Sequence, residues 1–287
     1  RIGGSVGVAA VGAAGEGEGV DALFVRADTA LYAAKEAGRG RHVVHTPALG
    51  ERSRRRLALE RALAEALRCG DLELHWQPKV DVASWRIVGA EALLRWDAPE
   101  IGPVEAAECV AVAERCGLID ELGRFVLLQA SGLPPQQLEL EVTEAAFAGP
   151  EPAALTRLHA LRALGVRIAL DDFGSGEASL ACLRRFPFDT LKIDPAFVDG
   201  AREIGVGAGS VHDDVRVLVQ TLSRLGRTLH MRTVCEGVET GTQLAAVTAA
   251  GCEQVQGFLA SRPLPLPQFG ELLRQWPARR PVAGLLH

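Results

Sequence analysis

Apolar residues recur with different rhythms along this chain. From Arg1 to Val11 small apolar residues run as a short strand and turn, and from Ala22 to Gly38 the spacing is helical, with Gly38 and Gly40 ending the helix. A piece of about 45 residues buries too little surface to stand alone, so it reads as part of a domain. Glu51 to Arg68 places Leu59, Leu63 and Leu67 on one helical face, which predicts an amphipathic linking helix. Its Arg52, Arg54, Arg55 and Arg56 are expected to form a solvated polar face rather than a nucleic-acid patch.

Beyond Asp71 short apolar strands alternate with helical stretches, the pattern of a parallel α/β domain. The expected strands are Leu72 to Gln77, Ile87 to Arg95, Leu138 to Thr143, Val166 to Leu170, Thr190 to Ile193, Met231 to Cys235 and Gln254 to Gly257. Helices such as Ala153 to Leu164 and Val215 to Leu225 lie between them.

Composition narrows the picture only a little. With 287 residues and 48% hydrophobic content the chain can bury a large core. A formal charge of -5 gives no general pull toward nucleic acid or anionic lipid, so any phosphate must be met by local cations or metals. Six cysteines without a C-x-x-C pair suggest buried free thiols in a reducing cytoplasm, and no apolar run is long enough to span a membrane. The small apolar start is followed by Glu16 and Glu18 and lacks a first Met, which suggests a piece of a longer protein rather than a signal peptide.

The informative feature is where the acids fall. Two-residue alternation puts Glu91, Leu93 and Arg95 on one face of their strand, and leaves Glu139, Glu141 and Thr143 opposite the apolar Leu138, Leu140 and Val142. Asp171 and Asp172 follow the apolar Arg167–Leu170, Lys192 and Asp194 close another strand, and Glu236 and Gln256 sit at the ends of two more. An α/β barrel builds its site at such strand ends. Converging carboxylates repel one another unless cations intervene, and oxygen donors without a cysteine or histidine cluster suit Mg²⁺ or Mn²⁺. Any one acid could be an ordinary cap, but Lys192 and Arg95 within strands need anionic partners.

In order, Glu91-Ala-Leu, Glu141-Val-Thr-Glu144, Asp171-Asp-Phe-Gly-Ser-Gly176, Leu191-Lys-Ile-Asp194, Glu236-Gly-Val-Glu239 and Gln256-Gly257 resemble the EAL domain. The resemblance implies a TIM-like (β/α)8 barrel that opens cyclic di-GMP to pGpG with Mg²⁺ or Mn²⁺. It implies metal ligation by Glu91, Glu141, Asp171 and Asp172, a base at Glu236, and Lys192 holding water and phosphate. It further implies substrate contacts from Gln77, Arg95 and Gln256, a loop-steadying Glu239, and an active-site place for Asp194. Ser5-Val-Gly-Val-Ala9 and Ala27-Asp-Thr-Ala-Leu-Tyr-Ala-Ala-Lys-Glu-Ala-Gly-Arg39 are similar to the last part of a GGDEF domain, in which Lys35 is left as an exposed helical lysine. The organisation expected is a GGDEF-like remnant over 1–46, a linking helix over 47–70, the EAL domain over 71–276 and a tail over 277–287. A cytoplasmic homodimer with an upstream sensory domain, in a parent protein open to membrane anchoring, completes the expectation.

Between Gln129 and Leu138 the resemblance calls for a strand carrying an Asn ligand, and only Ala130-Ser-Gly-Leu-Pro-Pro-Gln-Gln137 stands there. Either a segment has been omitted or the barrel lacks one strand–helix unit, which would expose two strand edges. Smaller departures are Glu177 in place of an aromatic, Cys235 in place of Ala, and a Gly-rich insertion over Gly200 to Gly209. Hydrolysis is the expected activity, with a non-catalytic cyclic di-GMP receptor or protein-interaction module as the alternative.

Overall fold

The structure is a computed structural model that describes residues 3–10, 19–129, 132–143, 152–173, 183, 186, 188–199 and 211–278. Glu144, the loop from Gly174, Glu177, Cys182 and the Gly200–Gly209 insertion lie outside them. The chain divides into two compact units, residues 1–72 with 95–125, and residues 73–94 with 126–287. Among the described residues no helix is long and apolar enough to cross a membrane.

In the first unit β1 (Val6–Val8) pairs in parallel with β2 (His42–Val44) across the helix α1 (Val20–Glu36). A side chain at Gly7 would run into the backbone of Ala27 and Leu31, so glycine is what lets α1 lie against the strand. Val6, Val8 and Val44 on the strands and Val20, Phe24 and Val25 on the helix remain exposed. The helix α2 (Pro47–Cys69) starts where the Thr46 hydroxyl accepts from the Leu49 amide and stops at Gly70, whose φ of 78° ends the helical run. Leu59 and Leu63 are buried as their period predicts, joined by Ala66, while Leu67 is only half-buried.

The arginine cluster on α2 departs from the solvated face expected of it. Arg55 donates to both carboxylate oxygens of Glu108 at 3.1 and 3.0 Å, and Glu108 belongs to α3 (Ala106–Cys116). Arg56 pairs with Glu36 at 3.0 Å and lies 4.5 Å from the Tyr32 ring centroid. Acidic partners on neighbouring helices reach these two guanidinium groups, which helical spacing alone could not reveal. The cysteines also depart in part: Cys109, Cys235 and Cys252 are buried free thiols, but Cys69 and Cys116 are exposed. Lys35 is exposed, as expected.

In the second unit the strands are β3 (Glu73–Asp81), β4 (from Ile87), β6 (Glu139–Thr143), β7 (Arg167–Phe173), β8 (Thr190–Ile193), β9 (Arg232–Cys235), β10 (Gln254–Val255) and the short β11 (Leu264–Pro265). β4 continues to Ala98, where β5 (Gly102–Val104) pairs with its far end inside the first unit. The order across the second unit is β4-β3-β10-β9-β8-β7-β6, with β11 on β3. Neighbours from β6 through β10 are parallel, and β10 meets β3 antiparallel. Helices Pro152–Ala163, Val211–Thr228 and Gly241–Ala249 make the crossovers. Every strand expected from the sequence is present in this order.

The sheet is curled rather than flat. Lys79 on β3 touches Glu139 and Glu141 on β6 at 3.2 and 2.7 Å, though five strand spacings of ~4.8 Å would separate those strands by about 24 Å in a flat sheet. This is the α/β arrangement of a TIM-like barrel. It is open on one side: among the described residues no strand joins β4 to β6. Apolar side chains pack outside the curl, Ile168, Leu170, Leu191 and Phe186 with Leu138, Leu140 and Val142 in one cluster, and Val80, Ile193, Val219 and Leu244 in another. The alternation read on β6 therefore holds, apolar residues outward and Glu139 and Glu141 inward.

Gly257 fixes the rim where two strand ends meet. Its neighbour Gln256 accepts from the Val238 amide at 3.1 Å and donates its own amide to Cys235 at 2.9 Å. A Cβ at Gly257 would collide with the backbone of Val238. Gly257→Ala is therefore expected to cost about 2–3 kcal/mol by overpacking, measured as a lowered urea midpoint with unchanged slope.

Candidate functional site

Inside the curl, Lys192 stands at the middle of β8 with its side chain 2% exposed, and its Nζ meets Glu141 at 2.7 Å, Glu236 at 2.8 Å, Asp171 at 2.9 Å and Glu91 at 3.7 Å. Strands β4, β6, β7 and β8 thus place five of the expected site residues together, with Glu236 arriving directly after β9. A buried ammonium is tolerated only with such partners. Burial works against its charge, but the surrounding carboxylates outweigh it and hold Lys192 protonated well above the usual lysine range.

The acids do not share one electrostatic fate. Burial lifts the Glu236 carboxyl to about 7, partly opposed by Lys192 and reinforced by Asp171 and Glu91. Burial also raises Glu91, against the pull of Lys192. Glu141 is buried too, but Lys192 and Lys79 together bring it below the ordinary carboxylate range. Asp172 is raised by burial and by the nearby charges of Asp171 and Asp194. A carboxyl near neutrality beside one held ionised is the division of labour that proton transfer requires.

Asp171 and Asp172 are adjacent in sequence, and strict alternation would send them to opposite faces. The β7–β8 register shifts between Leu170 and Phe173, and Asp172 has a φ of 52°. This bulge turns successive acids toward the same space; aspartate tolerates the left-handed conformation better than most residues. As a result Asp171, Asp172 and Glu236 bring ligand oxygens within 4.8 Å of one another. The donors are all carboxylate, and Glu91, Glu141, Asp171, Asp172 and Glu236 outnumber Lys79 and Lys192. An oxygen-only set with excess negative charge fits a hard divalent cation.

The remaining expected residues divide. Gln256, 4% exposed, donates to Glu91 at 2.6 Å and to Gln77 at 3.0 Å, and Gln77 donates to the Ser261 carbonyl at 3.1 Å. The side-chain oxygen of Gln256, Oε1, is buried with no hydrogen-bond partner among the described residues. Asp194 accepts from the Ala196 amide at 2.7 Å and caps the short helix Ala196–Asp199, close enough to Asp172 to influence it electrostatically. Glu239 is exposed, and the loop it was expected to steady lies outside the described residues. Arg95 follows Glu91 on β4 and falls in the first compact unit.

Lys79 escaped the sequence reading, and Glu139, placed there on the polar face of its strand, was given no role. Lys79, 6% exposed, bridges Glu139 and Glu141, and Glu139 also accepts from the Thr190 hydroxyl at 2.7 Å. The signal was available: Lys79 is a cation within an apolar strand, two residues from Gln77, which is the argument that singled out Lys192.

The profile of the EAL domain matches residues 60–132 and 127–263. This chain belongs to the EAL-domain family. The match falls in two segments that overlap over residues 127–132, the stretch where the sequence reading missed a strand, and among the described residues no strand joins β4 to β6 there. The chain is 34% identical, over 311 aligned positions covering 94% of it, to the bifunctional diguanylate cyclase/cyclic di-GMP phosphodiesterase MucR of Pseudomonas aeruginosa. That alignment is longer than the 287-residue chain itself, so MucR carries residues that this EAL chain lacks. The chain spans less than half the length of the curated relatives it matches, 44% in the case of MucR.

Among solved structures, the MucR phosphodiesterase in complex with c-di-GMP superposes with a TM-score of 0.63 at 33% identity, over 74% of this chain and 99% of that one. Klebsiella pneumoniae BlrP1, solved as a manganese/cyclic di-GMP complex, gives a TM-score of 0.53 at 28% identity over 68% of this chain and 56% of that one.

Proposed function

We propose that this EAL chain hydrolyses cyclic di-GMP to the linear pGpG in the presence of Mg²⁺ or Mn²⁺. The observation that carries the reading is the meeting of Glu91, Glu141, Asp171 and Glu236 around Lys192, with Asp172 turned in beside them. Glu91, Glu141, Asp171 and Asp172 would hold the metal. Bound there, a divalent cation supplies Lewis acidity toward a phosphoryl oxygen and an acidified water. Glu236, poised near neutrality, takes a proton from the attacking water. Lys192, kept charged by its neighbours, offsets the negative charge that builds on phosphate. Gln256 and Gln77 orient the ligand from the rim, with the side-chain oxygen of Gln256 accepting one of its N–H groups.

A second reading is favoured by the divided family match and by the absence, among the described residues, of a strand between β4 and β6: a receptor that binds cyclic di-GMP without turning it over. Purified protein incubated with cyclic di-GMP and Mn²⁺ separates the two. The expected result is pGpG, lost in Glu91→Ala. Ligand binding without product would instead select the receptor, and neither binding nor product would reject both.

The same reading assigns residues 1–46 to the last part of a GGDEF-like domain, 47–70 to a linking helix, 71–276 to the EAL domain and 277–287 to a tail. The exposed Val6, Val8, Phe24 and Val44 support the first assignment, because a complete domain would cover them. A cytoplasmic homodimer coupled to a sensory domain belongs to this proposal, and sedimentation of the purified chain tests the dimer.

A further inference from the structure

We propose that Lys79 and Glu139 are positioning residues that aim Glu141 at the metal, an inference that rests on the metal-dependent reading above. The charges inside the sheet alternate as a ladder. Arg167 and Arg232 lie 3.6 Å from Glu139, Lys79 bridges Glu139 and Glu141 at 3.2 and 2.7 Å, and Lys192 takes the other Glu141 oxygen at 2.7 Å. Each Glu141 oxygen therefore has its own partner: Oε1 is tied down to Lys79, and Oε2 points to the space shared with Lys192. A glutamate has three rotatable bonds, and among the described residues no strand pairs with β6 on the side away from β7. The hydrogen bond from Lys79 supplies that confinement. Glu139 in turn holds Lys79, and is itself fixed by the Thr190 hydroxyl at 2.7 Å.

This role differs from simple charge balance. Lys79→Met with Glu139→Gln keeps the formal charge sum while removing the hydrogen bonds that tie Glu141 to the ladder, and Thr190→Val loosens Glu139 with every charge kept. The test is an electron paramagnetic resonance titration of Mn²⁺ into wild-type protein and the double variant Lys79→Met with Glu139→Gln. The expected result is Mn²⁺ affinity about tenfold weaker in the double variant, the effect typical of losing a group that orients a ligand, with an unchanged circular dichroism spectrum. An unchanged affinity in the folded double variant overturns the proposal alone. Wild-type protein that takes up no Mn²⁺ overturns the metal reading and this proposal with it. Should the double variant not fold, Thr190→Val decides: it keeps every charge, and the loss of one hydrogen bond predicts about threefold weaker Mn²⁺ binding. Wild-type affinity in Thr190→Val then overturns the proposal.

Discussion

Metal-free protein carrying Lys192→Met is expected to lose about 3–5 kcal/mol of stability at neutral pH, the cost of leaving buried charges without their partner. Methionine nearly conserves the volume of the lysine stem, so the loss is electrostatic and not a cavity effect. In the wild type one ammonium serves Glu91, Glu141, Asp171 and Glu236, and it is almost wholly buried. Without it the carboxylates face one another in a poorly solvated interior, and some must take up protons to remain folded. Urea unfolding in the presence of a chelator measures the effect. Added Mn²⁺ should return part of the lost stability, and more in the variant than in the wild type, because ligands that bind only the folded state stabilise it. Equal stability of the two proteins would mean that the acids do not carry charge together, and the metal reading would lose its basis.

Glu236→Gln is expected to lower turnover of cyclic di-GMP by a factor of about 10²–10⁴, the usual contribution of a positioned general base. The same substitution should stabilise the metal-free protein at alkaline pH. Burial raises this carboxyl from 4.5 to about 7, with Lys192, Asp171 and Glu91 facing it. Between those values the folded state keeps a proton that the unfolded state has released, so stability falls as pH rises through the window and the penalty is complete above about 7. Glutamine does not ionise and escapes it, by up to about 3 kcal/mol at 1.36 kcal/mol per unit. Wild type and variant should converge in stability below pH 4.5. Paired urea titrations across this range check the sign, and a variant less stable than wild type at high pH would remove Glu236 from the role of a strained, near-neutral acid.

Much of the fold was legible because its strands are short apolar runs separated by helices. β8 and β9 were located almost to the residue, since Thr190-Leu-Lys-Ile and Arg232-Thr-Val-Cys are compact and bounded by turns. Helices Ala106–Cys116 and Ile119–Gln129 and the short strands β2, β5 and β11 were not anticipated. Three-residue strands such as His42–Val44 carry too few alternations to announce themselves, and they exist because a neighbour pairs with them. In the site, Glu91, Glu141, Asp171, Lys192 and Glu236 were all singled out beforehand. The role of Lys79 and Glu139 was not legible, because their contact joins β3 to β6 and exists only once the sheet curls.

By itself the sequence determined which residues line the interior of the sheet, because side chains on a strand alternate and an apolar face must turn toward the helices. Its resemblance to the EAL domain left two readings of the stretch before β6, an omitted segment or a missing strand–helix unit. Only the tertiary structure decided which charges meet. The curl of the sheet brings β3 against β6 and puts Lys192 within reach of acids on β4, β6 and β7 and just after β9, and the bulge at Asp171 and Asp172 overrides the alternation that would have parted them. Curvature and bulges arise from strand pairing over long sequence separations, and no local pattern of polar and apolar residues encodes them.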